Sequence, residues 1–171
     1  MGSTNVTGAQ LAAYYRSMVG DSTYPSSVYK SRGAETIDEF CNILVEEAQV
    51  EGVRAEVVFA QVIHETGWLR FGGAVKAEQC NFAGLGSVNS NPTAANTFPD
   101  VRTGLRAQVQ HLKAYASTEP LVNDCVDVRF GLVTRGCAPC LEDLNGKWAV
   151  PGNGYGEKLS RTIDDIYASI R

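Results

Sequence analysis

The sequence predicts a mainly helical domain, and three features predict it. Two capping boxes stand ahead of apolar residues at helical spacing, a third segment is apolar on nearly all sides, and strand signals are poor along the whole chain. The length of 171 residues suits one compact unit with a substantial core.

The stretch Thr7-Gly8-Ala9-Gln10 opens the first helix, which carries Leu11, Tyr14, Tyr15 and Met18. Residues 20–33 read as a polar connection, with Pro25 and several serines. A second box, Thr36-Ile37-Asp38-Glu39, opens a longer helix whose apolar residues are Ile37, Phe40, Leu44 and Ala48, and Gly52 closes it. The third helix, Ala55 to Thr66, carries Val, Ala and Phe on most of its circumference, which marks it as a central, buried helix. Glu65 then lies at its C-terminal end, with Gly67 as the stop. Residues 81–100 are loop-like, with room for a short hairpin. A further helix spans about Arg102 to Ser117, with Leu105, Val109, Leu112 and Tyr115 inward, and a last one runs from about Glu157 to Ile170, with Leu159, Ile163, Ile166 and Ile170 on one face. The predicted organisation is an N-terminal helix and linker, residues 1–35, packed on a unit formed by residues 36–171.

Composition removes several function classes. The net charge of −4 and the scattered basic residues argue against a nucleic-acid partner. No apolar run approaches the roughly 20 residues needed to span a bilayer, so no membrane role is expected, and the start MGSTNVTGAQ has no signal-peptide pattern. The five cysteines are an odd number, which argues against a full disulfide framework. Cys137 and Cys140 have C-x-x-C spacing without the second pair that a structural zinc would want, and His64 and His111 have no ligand at suitable spacing. No metal and no cofactor is therefore expected, and a Cys137–Cys140 or Cys125-containing bridge under oxidation stays open.

The stretch HETGW, residues 64–68, starts like the zinc-protease signature H-E-x-x-H, but Trp68 occupies the position of the second histidine. Glu65 is better read as a proton carrier. A carboxyl group at the end of a buried helix loses hydration, which disfavours its charged form, and the negative end of the helix dipole acts the same way. Apolar cover from Trp68 would add to both. A carboxylic acid held protonated near neutral pH is what a general acid needs to protonate a leaving oxygen. A surface glutamate at a helix end is the plain alternative.

The run FAQVIHETGW (59–68) followed by NFAGLG (81–86) resembles the glucosaminidase domains of glycoside hydrolase family 73, which pair A-Q-x-x-x-E-[ST]-G-W with an N-x-F-G-I-K-G-like loop. The stretch FPDVRTGLRAQVQHL (98–112) looks like the family's F-R-x-Y-x-S-x-x-x-S-I-x-D-H segment, and NGYGEKL (153–159) is similar to its D-P-x-Y-A-x-K-[IL] ending. The resemblance covers roughly residues 40–171. Any one of these segments is weak; their occurrence in order is fairly specific.

The resemblance implies a lysozyme-like helical domain with a reduced or absent β-lobe, which cuts the glycan of bacterial peptidoglycan after N-acetylglucosamine. It implies Glu65 as general acid, Tyr155 near the reacting sugar, and Asn81, Phe82, Ala83 and Gly84 along the cleft floor. Trp68, Phe98 and Trp148 become candidate sugar platforms; core packing is the alternative for each of these aromatics and for Phe82. Many members carry a second acid between the N-x-F-G loop and the F-R-x-Y segment, yet residues 87–98 contain no Asp or Glu. Asp100 and Glu78 flank that span, and Asp100 is equally placed to cap the following helix. If neither serves, the substrate's own acetamido group is the expected nucleophile. The alternatives are a muramidase or lytic transglycosylase using the same glutamate, a non-catalytic wall-binding module, and a metal-stapled interaction domain built on Cys137 and Cys140. The expected setting is the bacterial cell wall, as a secreted autolysin or a phage endolysin, and the expected state is a monomer.

Overall fold

The computed structural model describes residues 1–87 and 95–171. It is mainly helical: α1 (Gly8–Val19), a one-turn α2 (Ser26–Tyr29), α3 (Ile37–Glu51), α4 (Ala55–Thr66), α5 (Val101–Ala116) and α6 (Tyr155–Ser169), joined by short 3-10 turns. The described residues contain no sheet, only an isolated bridge between Asn145 and Ala149. The predicted hairpin falls largely on residues 88–94, outside the described residues, and the flanking segments are turns and extended chain.

Both capping boxes form. Thr7 Oγ1 accepts from the Gln10 amide and Gln10 Oε1 from the Thr7 amide, and Thr36 and Glu39 repeat the exchange at α3. Each box satisfies two amides that a helix start leaves without partners, worth about 1 kcal/mol per cap. Gly52 and Gly67 close α3 and α4 in the left-handed conformation.

Helix α4 is central, contacting α3, α5 and α6, while α1 and α5 both pack on α3. Val58, Phe59, Ala60 and Val62 of α4 have no exposed surface. An aromatic cluster fills the space between α3 and the loop after α4: Phe40 meets Phe82 edge-on at 5.0 Å between ring centres, with Tyr24, Tyr29 and Phe71 around them. Truncating Phe40 or Phe82 to Ala should cost about 3–5 kcal/mol. The segment expected to be a polar connection therefore contributes two buried tyrosines to the core, Tyr24 and Tyr29. Helix α1 packs through Leu11, Ala12, Tyr14 and Tyr15, which leaves Met18 54% exposed.

Buried ion pairs tie these layers. Glu47 receives Arg102 and Arg106, Glu56 receives Arg54 together with the Thr4 and Tyr167 hydroxyls, and Glu51 receives Lys113 at 2.9 Å. Glu51 also accepts the Val122 and Asn123 amides, and so anchors the long loop after α5. All five cysteines are free thiols, with Cys41 and Cys80 in the core. No helix among the described residues is long and apolar enough to cross a membrane.

Candidate active site

A left-handed turn follows Glu65. Gly67, Trp68 and Leu69 take positive φ in succession, 57°, 63° and 59°. Left-handed geometry costs a non-glycine residue roughly 1–2 kcal/mol, so the turn needs support. Thr66 supplies it: its hydroxyl donates to the Val62 carbonyl and accepts the Leu69 amide, while the Phe71 amide returns to the Thr66 carbonyl. The Tyr15 hydroxyl donates to the Trp68 carbonyl and fixes the turn against α1. The chain thus reverses immediately after Glu65, leaving the end of α4 uncovered.

Beside this end lies a groove of about 790 Å³. Glu65, Thr66 and Gly67 form part of its floor; residues 71–75, Asn81, residues 83–87 and Trp148 are among the other lining residues. The loop at 81–86 is tied by Asn81, whose amide donates to the Leu85 and Asn96 carbonyls and accepts from the Leu85 amide. It stands close to α5 because residue 104 is glycine: a Cβ there would overlap the Cys80 carbonyl. The same tight fit recurs at the start of α6, where a Cβ on Gly156 would strike the Leu141 backbone and where Asn145 Oδ1 caps the Gly156 amide at 2.8 Å. Tyr155 is held by that junction.

The Glu65 carboxyl is open to solvent through the groove, yet protein surrounds it on its other sides. Tyr155 Oη donates to Glu65 Oε1 at 2.6 Å, and Trp148 lines the groove beside the carboxyl group. Loss of hydration raises the Glu65 pKa and outweighs the lowering effect of the Tyr155 donor and the nearby Trp148 side chain. The Tyr155 hydroxyl is pushed well above its ordinary value, by burial first and then by the Glu65 charge, so it stays a donor.

Behind Tyr155 runs a buried chain of amides. Gln61 Nε2 donates to Tyr155 Oη at 2.9 Å, and Gln108 Nε2 donates to both Gln61 Oε1 at 2.9 Å and the Val58 carbonyl at 3.2 Å. The Val58 carbonyl can only accept, so the orientation of each amide follows from it. Gln108 must present its nitrogen, Gln61 its oxygen to Gln108 and its nitrogen to Tyr155, and the tyrosine proton is left for Glu65. The arrangement leaves Gln108 Oε1 without a partner among the described residues. Neither glutamine was singled out from the sequence, although a signal existed: Gln61 is a polar residue on an apolar helix, one turn before Glu65 and on its face.

The structure brings Glu65, Asn81, Ala83, Gly84 and Trp148 together along the groove, with Tyr155 directly behind the carboxyl. It takes other expected residues elsewhere. Phe82 is fully buried, its ring packed against Phe40, Tyr29 and Phe71, and Phe98 is 5% exposed in the core. Trp68 leans on Tyr14 and Tyr15, turned there by the left-handed turn, so it covers neither Glu65 nor the groove. Asn81 lines the floor, but its amide is spent on the loop. Asp100 caps α5, its carboxylate accepting the Thr103 amide at 2.7 Å, and neither Asp100 nor Glu78 lines the groove.

A family model described as glucosaminidase, mannosyl-glycoprotein endo-β-N-acetylglucosaminidase, matches residues 41–168. An uncharacterized protein of Borreliella burgdorferi is 44% identical over 122 residues, which are 71% of this chain and 59% of that protein, so the chain spans about three fifths of that relative's length. Helices α3 to α6, with the groove between them, are thus the matched unit, and the chain belongs to the glucosaminidase family of glycoside hydrolases.

Proposed function

We propose that the protein is an endo-β-N-acetylglucosaminidase that hydrolyses the glycan strand of bacterial peptidoglycan, with Glu65 as general acid. The observation that carries this reading is the Glu65 carboxyl lining a groove of about 790 Å³, with its pKa raised by its surroundings and a fixed donor on one of its two oxygens. With Oε1 occupied by the Tyr155 proton, the acid proton belongs on Oε2, the oxygen nearest Gly84 on the groove wall. Oε2 delivers it to the glycosidic oxygen as the bond to the sugar carbon C1 breaks.

The acetamido route supplies the other half of the reaction. The carbonyl oxygen of the substrate's 2-acetamido group attacks C1 from the opposite face, giving a cyclic oxazolinium ion. Water then opens that ring, and the Glu65 carboxylate takes its proton. Supporting this route, Glu65 is the one carboxylate among the described residues lining the groove, and residues 88–94 contain no acid in sequence. Tyr155 acts through Glu65: at 4% exposure it lies behind the carboxyl and orients it. Trp148 on the wall is the platform for a pyranose face.

The test is mass spectrometry of fragments released from purified walls. New reducing ends on N-acetylglucosamine are expected. Ends on muramic acid, or its anhydro form, would replace this reading with a muramidase or lytic transglycosylase. Binding to walls with no fragments released would leave a wall-binding module.

A further inference from the structure

The sequence is acidic, yet the permanent charges on the groove wall away from Glu65 are positive. Arg129 and Lys147 line it, beside His111, Tyr115 and Trp148, and Glu65 is the only opposing charge among the described lining residues. The arginines that hold the helices together, Arg16, Arg54, Arg102 and Arg106, are all paired with carboxylates. Arg129 and Lys147 have no salt bridge among the described residues; Lys147 Nζ donates only to the Asp143 carbonyl.

Arg129 sits at the start of a 3-10 turn, Phe130–Leu132, in the long loop after α5, and three buried side chains fix that loop. Asp127, 3% exposed, accepts the Arg129 amide with Oδ1 at 2.9 Å and binds His111 Nδ1 with Oδ2 at 2.7 Å. Gln110 Oε1 accepts the Val126 and Asp127 amides, and Glu51 holds the start of the loop at Val122 and Asn123. The His111 ring, oriented by Asp127, meets the Trp148 ring edge-on at 5.0 Å, and Tyr115 lies 5.6 Å from Trp148 and donates to the Lys147 carbonyl. Cations and aromatic faces are thus presented together on a fixed frame, which lowers the ordering cost of binding.

We infer that this wall, built from His111, Tyr115, Arg129, Lys147 and Trp148, is a subsite for a carboxylate-bearing substituent of the glycan. The aromatic faces take the sugar, and Arg129 and Lys147 take the charge. The inference rests on the proposed glycan-hydrolase reading and adds a selectivity for anionic over neutral strands. A carboxylate of this kind comes either from a peptide on the strand or from a lactyl ether on the sugar itself.

The test is equilibrium binding to soluble glycan strands in three forms: peptide-bearing, stripped of peptide to expose the lactyl carboxylates, and with all carboxylates converted to neutral amides. Release of reducing ends is followed in parallel. Amidation should weaken wild-type binding about tenfold, as expected for losing one charge-assisted contact. Arg129→Gln and Lys147→Gln should each weaken binding to carboxylate strands by up to that extent and respond less to amidation than the wild type does. Equal wild-type binding to amidated and free strands would overturn the subsite, as would variants that lose affinity equally for both. Whichever of the first two forms shows the charge dependence identifies the source of the carboxylate. Failure of the hydrolase reading is seen separately, as binding without new reducing ends.

Discussion

The Tyr155 hydroxyl donates a 2.6 Å hydrogen bond to Glu65 Oε1 across 90 residues of chain. Through it the first turn of α6 controls a carboxyl at the last turn of α4. The bond orders the carboxyl without cancelling the rise in its pKa, because loss of hydration still outweighs it.

Glu65→Gln should abolish glycan cleavage and leave the fold intact. The raised Glu65 pKa means that ionisation works against folding: that group's contribution is fully favourable below the ordinary glutamate value of 4.5 and is lost as pH rises through the folded value. The amide removes that penalty, so its melting temperature at neutral pH should match or exceed the wild type. A large drop would make Glu65 structural instead.

Tyr155→Phe should lower kcat by about 10–100-fold with KM little changed. It also removes a bond that lowers the Glu65 pKa. The limb of the kcat/KM profile where activity falls with rising pH should therefore move to higher pH. An unchanged profile would mean that Glu65 is not the titrating acid.

Gln61→Leu should reduce kcat while sparing substrate binding, because Tyr155 loses the donor that commits its own proton to Glu65. A Glu65 proton on Oε1 could then point at Tyr155 rather than at the substrate. Burial of an unmatched Gln108 amide should add about 1–3 kcal/mol of destabilisation. Kinetics on Gln61→Glu supply the control. When protonated, its carboxyl reproduces both hydrogen bonds of the amide, so activity should recover on acidification.

Asp100→Asn should retain near-normal rates, since asparagine caps a helix as well as aspartate does. Collapse of activity without loss of stability would identify Asp100 as a second carboxylate and end the acetamido route.

Acid should unfold the protein through Glu47, Glu51 and Glu56. Burial raises all three pKa values, but paired cations and hydrogen bonds lower them further, so each ends below 4.5. The stability they supply is present above that value and is lost as pH falls through their folded values. Lys113→Met would leave Glu51 buried without its cation and should cost about 3–5 kcal/mol. Melting temperatures between pH 7 and pH 3 check both statements.

The helices and the position of Glu65 were legible in the sequence because they depend on neighbours within a few residues. Capping boxes are read over three positions, apolar faces over four, and a glycine stop at one. Thr7, Thr36, Gly52 and Gly67 act locally, and so the ends of α1, α3 and α4 followed from them. The tertiary structure alone decided which side chains share the groove. Periodicity has no information on where a left-handed turn sends Trp68, on which side of the 81–86 loop Phe82 falls, or on whether Asp100 spends its carboxylate on an amide. Tyr155, Gln61 and Gln108 meet only because α4, α5 and α6 pack together, and the orientation of that whole chain follows from the single Val58 carbonyl at its end.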